Sequence, residues 1–302
     1  MKLILPVLGV ILVLVLLVSG LVYHSITTPE RASEVVSPGD YHLAAEDVSW
    51  SGAGGEPIEG WYFRSSNLAP LIIICHGYGS DRSNNLGLAA RLKESGFNVL
   101  LFNLRGHGTA SQKHTTLGWK ESQDLRGSMD MLIQRPEVDF RRIGLYGVDI
   151  GAYAAMHASR DNPNIKALAL DSVFHTIDDF IAIKVKQTLG IKTSVISYLV
   201  TLCHHLFSGS SPAETGRTLP PETFADKRML FIASSDQKSA SLSRETRRLY
   251  TYFSCQEKEI LHLPFPKSQL FGPDRYKYDE NILDFFKKEL LAPSSNPLEP
   301  VP

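Results

Sequence analysis

The sequence predicts one large α/β domain, with a mostly parallel, twisted sheet and helices on both faces, preceded by one transmembrane helix. Two observations lead to this fold class. Apolar runs typical of buried strands alternate with helical patterns along the chain, and alternating strands and helices fold into a mostly parallel sheet. In addition, an uncharged apolar run occupies residues 3–23.

Composition and charge exclude several classes of protein. The 302 residues are 43% hydrophobic and 21% charged, a globular composition that excludes wholesale disorder. Lys and Arg total 31 against 32 for Asp and Glu. Because no basic excess is present to neutralise phosphates, we expect no nucleic-acid partner. The three cysteines form no Cys-x-x-Cys pair and are too few for a disulfide framework.

The amino-terminal run has the length of a membrane span. As a helix rising 1.5 Å per residue, it would extend about 31 Å, which matches the hydrocarbon core of a bilayer. A cleaved signal peptide is the alternative, because Val18-Ser19-Gly20 resembles a processing site. The apolar region of a signal peptide is normally about 7–15 residues long, so the length favours an uncleaved signal anchor over residues 1–25. Lys2 precedes the run, and this charge favours a single-pass topology with the carboxyl-terminal domain outside the cytoplasm.

Two segments flank the predicted domain, which covers residues 46–290. Residues 26–45 contain Thr-Thr-Pro and Ser-Pro-Gly-Asp sequences that are typical of a linker. Residues 291–302 are rich in proline and serine, and we expect them to form a disordered tail. The roughly 245 residues between these segments are enough for one large α/β domain.

The elements of this domain follow one another from residue 48 onward. A β-hairpin is predicted from residues 48–50 and 58–63, which are joined by a glycine turn. Residues 71–75 form a continuous apolar run, typical of a parallel strand that is buried on both faces. Further strands are predicted at 97–102, 143–146, 165–170, 229–233 and 260–263. Helices are predicted at 86–92, 119–134, 152–158 and 281–290.

One long interval interrupts the alternation of strands and helices. It separates the strand that ends near Asp171 from the strand that starts at Met229, and it contains two helical patterns, at 177–189 and 194–207. An insertion of this size is usually a lid. We therefore expect a helical cap at about residues 175–226, which would cover Asp149 and enclose a small apolar ligand with Tyr78 at the pocket wall.

An ordered set of motifs carries the chemistry. Residues 143–152 read Ile-Gly-Leu-Tyr-Gly-Val-Asp-Ile-Gly-Ala, a strand, a turn and a helix as in the nucleophile elbow Gly-x-Ser-x-Gly. Cys-His-Gly-Tyr-Gly-Ser at 75–80 follows a buried strand, Asn-Leu-Arg-Gly-His-Gly stands at 103–108, and Leu-Asp-Ser stands at 170–172. Together they resemble the α/β-hydrolase superfamily, particularly its serine-hydrolase branch of lipase-, esterase- and peptidase-like members. The resemblance implies an α/β-hydrolase fold.

The resemblance also assigns roles to individual positions. Asp149 stands where the family has its nucleophilic serine, and Ser268 falls at or next to the position of the catalytic histidine. Asp236 comes just after a strand, where the family has its catalytic acid. A turn-capping role for Asp236 agrees equally well with its sequence context. The backbone N–H groups of Tyr78 and Ile150 are the implied oxyanion-hole donors.

The substitutions at Asp149 and Ser268 change the expected chemistry. A carboxylate attacks an alkyl carbon to form an ester, as in the dehalogenases and epoxide hydrolases of this fold. It attacks an ester carbonyl poorly, because the product would be an anhydride. No histidine stands at the family's position, since His262 lies inside the preceding strand. Without that imidazole, neither a serine nor an aspartate mechanism has a general base to activate water.

We therefore expect a membrane-anchored protein with a degenerate catalytic triad, little or no hydrolase activity, and a binding or regulatory role. The alternative is an active hydrolase that uses Asp149 as nucleophile on an alkyl-carbon, ester or amide substrate, with an unrecognised base. No cofactor is expected. A metal site is not expected either, because Asp149 and Asp236 have no third ligand at a recognisable spacing.

Overall fold

A mostly parallel sheet lies at the centre of the computed structural model, which describes residues 4–31, 36–216, 218–235 and 240–291. Within these residues the sheet has eight strands, in the order β1-β2-β4-β3-β5-β6-β7-β8. The pairs β1–β2 and β2–β4 are antiparallel, and the remaining pairs are parallel, which confirms the predicted sheet. The strands are β1 Glu46–Ser51, β2 Pro57–Phe63, β3 Ala69–Cys75, β4 Asn98–Phe102, β5 Val138–Val148, β6 Ile165–Asp171, β7 Arg228–Ser234 and β8 Glu257–Leu263.

Helices pack on both faces of the sheet, as the strand composition predicts. Along β3, Leu71, Ile73 and Cys75 belong to one apolar cluster, whereas Ile72 and Ile74 belong to another. Successive side chains of a strand point to opposite faces, so each face of β3 is covered by its own cluster. The helices are α1 Ile4–Thr27, α2 Leu86–Glu94, α3 Trp119–Leu132, α4 Ile150–Ser159, α5 Ile177–Leu189, α6 Ser194–Ser208, α7 Pro212–Thr215, α8 Ala240–Tyr252 and α9 Gly272–Phe286.

The interval between β6 and β7 is helical and contains α5, α6 and α7. Helix α5 begins where the Thr176 side chain accepts a hydrogen bond from the Asp179 N–H, at 3.1 Å, which satisfies one of the free donors of the first turn. It ends at Gly190, whose positive φ of 72° is a common helix terminator. Phe180 of α5 and Val200 of α6 are fully buried, so the interval is packed on the domain.

Helix α1 is long and apolar enough to cross a membrane, from Pro6 to Thr27, and is a candidate membrane span or signal sequence. Its carboxyl-terminal end is also part of the domain. Val22 and Ile26 are buried in the core, and the Tyr23 ring stacks on Phe207 of α6 at a centroid distance of 5.6 Å. The helix therefore continues beyond the predicted anchor boundary at residue 25 into the predicted linker.

The predicted linker and tail are only partly within the described residues. Arg31 Nη1 donates to the Ala110 carbonyl oxygen at 2.8 Å, and residues 38–41 form a 3-10 turn, so parts of the linker contact the domain or are ordered. Residues 32–35 lie outside the described residues. So does the predicted tail beyond residue 291.

A buried ion pair joins the loop after β4 to helix α3. Arg105 Nε lies 2.6 Å from Asp124 Oδ2, and the two side chains are only 4% and 1% exposed. Arg105 Nη2 donates to Asp124 Oδ1 at 2.8 Å, and the Ala53 N–H donates to the same oxygen at 2.7 Å. Both charges are removed from water. Loss of either partner would leave the other charge buried and unpaired, which strongly destabilises a folded protein.

Candidate functional site

Asp149 occupies a sharp turn between β5 and α4. Its φ of 39° lies in the left-handed region that most side chains avoid but aspartate tolerates better than most. The two flanking glycines are required by close approach of the backbone. A Cβ on Gly147 would collide with Gly151 and Ala152, and a Cβ on Gly151 would collide with the carbonyl oxygens that follow β3. The local sequence therefore forms the strand–turn–helix geometry of a nucleophile elbow.

The carboxylate of Asp149 fills the position that two backbone donors face. The Tyr78 N–H donates to Asp149 Oδ1 at 2.8 Å, and the Ile150 N–H donates to the same oxygen. These are the two N–H groups that the sequence implies for an oxyanion hole. Asp149 Oδ2 has no hydrogen-bond partner among the described residues. The half-buried carboxylate thus holds one oxygen in the donor pair and leaves the other free.

Burial raises the pKa of Asp149 from 3.8 to about 6. The positive charge of Lys184 and the two backbone hydrogen bonds lower it, whereas the charge of Asp171 adds to the increase. The loss of hydration therefore exceeds the stabilisation of the charged form by its neighbours. At pH 7 the ionised form still predominates.

We expect this raised pKa to make the stability of the protein depend on pH. The folded protein binds the proton of this carboxyl more tightly than the unfolded chain does. The contribution of Asp149 to the free energy of unfolding therefore falls as pH rises from about 4 to about 6. Asp149→Asn removes the ionisation in a residue that also tolerates positive φ. Between pH 4 and pH 7, wild type should lose about 1–2 kcal/mol of unfolding free energy relative to Asp149→Asn, after allowance for screening.

Urea unfolding of both proteins in the same detergent, at pH 4 and pH 7, measures this difference. Contributions of other titrating groups cancel because the comparison is between two proteins with the same remaining side chains. Equal pH dependence in wild type and Asp149→Asn would contradict the raised pKa.

Tyr78 connects this turn to the cap and to α1. Its hydroxyl donates to the Ile26 carbonyl oxygen at 2.9 Å. Its ring centroid lies 6.0 Å from that of Phe180 and 3.6 Å from Lys184 Nζ, both residues being on α5. Burial lowers the pKa of Lys184, and the charge of Asp149 opposes this effect. Tyr78, whose N–H donates to Asp149, is therefore in contact with both α1 and α5.

Of the three predicted triad positions, the structure describes Asp149 and Ser268, and these two form no hydrogen bond with each other. Asp236 lies outside the described residues. Ser268 is exposed in the 3-10 turn Lys267–Gln269 and makes no hydrogen bond to Asp149. Its neighbour Lys267 points inward instead, and its Nζ donates to Asn85 Oδ1 at 2.5 Å.

Lys267 is the functional candidate that sequence reasoning missed. Its Nζ lies 5.0 Å from the Tyr146 ring centroid, and burial lowers its pKa to about 7. The charge of Asp149 partly opposes this decrease in pKa. Lys267 and Asp149 do not form an ion pair among the described residues. In the sequence, the one signal for Lys267 is that it directly precedes Ser268, which falls at or next to the position of the family's histidine.

A chain of buried hydroxyl and carboxyl groups runs beneath the turn. Asp171, at the end of β6, accepts hydrogen bonds from the Tyr278 hydroxyl at 2.6 Å and from Ser172 Oγ at 2.8 Å. The Tyr278 and Tyr146 hydroxyl oxygens are 2.7 Å apart. The Asp149 N–H donates to the Asp171 carbonyl oxygen at 2.8 Å, so this network adjoins the elbow. Burial raises the pKa of Asp171.

The nearby histidines hold loops rather than the Asp149 carboxylate. His76 Nε2 accepts the Leu104 N–H at 2.9 Å, and His76 Nδ1 lies 2.8 Å from the Gly77 carbonyl oxygen. His107 Nδ1 lies 2.8 Å from the Arg105 carbonyl oxygen. Within the described part of the chain, no histidine hydrogen-bonds to Asp149, and no three His, Cys, Asp or Glu side chains form a metal-binding group.

Comparisons with known proteins agree with this fold. The sequence profile of a family described as alpha/beta hydrolase fold matches residues 70–191. An uncharacterized protein of Mycobacterium tuberculosis is 31% identical over 159 residues, which is 52% of this chain and 54% of that protein. The uncharacterized protein YqkD of Bacillus subtilis is 27% identical over 204 residues, or 66% of this chain and 65% of YqkD. The chain spans about half the length of several curated relatives it matches.

Solved structures share the fold over most of the chain. An esterase from Pyrococcus furiosus has a TM-score of 0.66 and 22% identity, and the match covers 88% of this chain and 99% of the esterase. The alpha/beta hydrolase GrgF from a Penicillium species has a TM-score of 0.60 and 15% identity, with 82% of this chain and 100% of GrgF covered. At these identities the likeness shows the fold.

Proposed function

The chain has the α/β-hydrolase fold of this superfamily, and we propose that it is a membrane-anchored, hydrolase-like protein with a degenerate triad. It binds a ligand or regulates a partner and has little or no hydrolase activity. One observation carries the proposal: Asp149 occupies the elbow turn, its Oδ1 accepts both donor N–H groups, and no described histidine hydrogen-bonds to it. An acyl substrate would need those same N–H groups for its carbonyl oxygen.

The proposed membrane attachment is through α1, with the domain on the extracytoplasmic side. The uncharged span supports attachment, and Lys2 before it supports the orientation. The proposed ligand is small and apolar and binds under the cap. Tyr78 supports this choice, because its ring is partly exposed beside Asp149 and contacts Phe180 of α5.

A second candidate function is favoured by the free Oδ2 of Asp149. This oxygen could attack an alkyl carbon while Oδ1 stays in the donor pair. The C–O bond would form as the carbon–halogen bond of an alkyl halide breaks, the halide would leave, and an ester would remain on Asp149. Hydrolysis of that ester requires a base for water, and Lys267, which is buried and has a pKa lowered to about 7, is one candidate for that base.

Three probes applied to the full-length protein in detergent test these candidates together. We expect hydrolysis of p-nitrophenyl acetate at the rate measured for Asp149→Ala, because the wild type lacks both a serine nucleophile and an imidazole base. We also expect no labelling by a fluorophosphonate and no mass increase after incubation with a short alkyl bromide. Intact-protein mass spectrometry detects the last two reactions.

The Asp149→Asn variant is the matched control, since it keeps the shape of the side chain but is not a nucleophilic carboxylate. Ester turnover by wild type that Asp149→Ala abolishes would contradict the proposed function. An alkyl adduct on wild type that Asp149→Asn lacks would instead establish the second candidate.

A further inference from the structure

We propose that one face of α6 lies in the outer region of the lipid bilayer beside α1, so that the cap is a second membrane contact. The proposal rests on the proposed anchoring by α1 and names the bilayer as the partner of this surface. We call this surface the cap face and define it by five apolar side chains, one in the turn between α5 and α6 and four along α6. They are Ile191, Val195, Tyr198, Leu202 and Leu206.

The cap face is exposed and carries no formal charge. Its members are 63%, 64%, 70%, 43% and 70% exposed, in chain order. Val195, Tyr198, Leu202 and Leu206 follow one another at intervals of three or four residues, which places them on one side of a helix. Helix α6 contains no Asp, Glu, Lys or Arg. A continuous apolar face of this kind marks a surface that another apolar phase covers.

The packing of α1 on the cap sets the depth of this surface. The candidate span Pro6–Thr27 has 22 residues, or about 33 Å of helix, against about 30 Å of hydrocarbon. About 20 residues of helix cross the hydrocarbon, so the helix reaches the bilayer surface near residue 25 when counted from Pro6 and near residue 23 when counted from residue 3. Val22 and Ile26, which are buried in the domain, lie within this same span, and Tyr23 stacks on Phe207 of α6. The part of α6 that contacts α1 must then lie at the membrane as well.

Charges next to the cap face fit the headgroup layer of a bilayer. Lys186 and Lys192 are exposed on either side of Ile191. Long lysine side chains reach from an apolar environment to the headgroup layer, where their ammonium groups meet lipid phosphates. The Ile191 turn thus combines an apolar side chain for the hydrocarbon edge with ammonium groups for the lipid phosphates.

Fluorescence quenching in proteoliposomes tests the proposal with the full chain. Cys203 and Cys255 are replaced by alanine, Cys75 is buried, and single cysteines are introduced as Tyr198→Cys, Leu202→Cys and the control Ile133→Cys. Ile133 is 51% exposed at the end of α3, away from the cap. Each is labelled with a polarity-sensitive dye and reconstituted in phosphatidylcholine and phosphatidylglycerol. A doxyl-labelled phosphatidylcholine should quench the dyes at 198 and 202 and leave the dye at 133 unquenched.

Two other measurements identify what covers the cap face. Dyes at 198 and 202 that aqueous iodide quenches as strongly as the dye at 133 would overturn the proposal. Energy transfer between donor- and acceptor-labelled Leu202→Cys chains in excess lipid, without doxyl quenching, would assign the cap face to a second copy and would also overturn the proposal.

Carbonate extraction of the same vesicles separates the proposed anchor from the proposed cap-face contact. Extraction of the protein refutes the anchor, whereas retention with unquenched dyes refutes only the cap-face contact.

Discussion

Asp149→Ser is expected to remain nearly inert toward p-nitrophenyl acetate, on the order of 10⁴–10⁶-fold slower than a complete triad, since losses within a triad do not add. The substitution would free the Tyr78 and Ile150 N–H groups for a substrate carbonyl. The new hydroxyl would still lack an imidazole, because no described histidine hydrogen-bonds at this position. Initial-rate assays of the detergent-solubilised protein, with Asp149→Ala as baseline, measure the effect.

The double variant Asp149→Ser with Ser268→His examines the geometry of the histidine position. Ser268 is exposed, so we expect an imidazole there to restore little activity. Full recovery would show that the 267–269 turn can direct residue 268 inward. Rapid turnover by Asp149→Ser alone would contradict the expectation and indicate a working base. Adding Lys267→Met to that variant would then decide whether Lys267 is the base.

Asp124→Ala is expected to destabilise the protein by about 3–5 kcal/mol, because it leaves the buried guanidinium of Arg105 without its main partner. The two side chains are 4% and 1% exposed, so water cannot replace the lost carboxylate. Glu56, which also contacts Arg105, is half exposed and compensates only in part. Denaturant unfolding in detergent, followed by near-ultraviolet circular dichroism, measures the change.

Asp161→Ala is the matched control for this prediction. Its ion pair with Arg160 is exposed on both sides, at 44% and 76%, and such pairs contribute about 0–1 kcal/mol. A loss at Asp124 no larger than the loss at Asp161 would show that the buried pair contributes little.

Sequence patterns predicted the strands well and two helices, α7 and α8, not at all. Each face of β3 is buried, so its apolar run was unambiguous. The buried positions of helix α8 are Ser243, Thr246 and Leu249. Two of these three positions, which are usually apolar in a helix that packs on a domain, carry small hydroxyl side chains here. A hydropathy pattern cannot register small hydroxyl side chains that are buried. Helix α9 begins at Gly272, earlier than the predicted 281, since its first turns are polar.

The elbow could be predicted from its glycines and its two donors from the family resemblance, whereas the arrangement around them could not. That Asp149 Oδ1 accepts both N–H groups depends on a side-chain torsion that no motif specifies. The inward direction of Lys267 and the outward direction of Ser268 depend on the 3-10 turn that contains them. The contact between Tyr78 and Ile26 joins residues far apart in the chain, and such pairings are set by the whole fold.

The hydrogen bonds at the end of α1 have a consequence for release of the domain by proteolysis. The last carbonyl groups of a helix have no partner within it. Here the Tyr78 hydroxyl binds the Ile26 carbonyl oxygen and the Thr115 N–H binds that of Thr27, both at 2.9 Å. A protease that cut just after this helix would remove Val22 and Ile26 from the core and leave both donors without acceptors. Shedding would therefore yield a damaged fragment, and the domain acts as an intact unit only while its helix is attached.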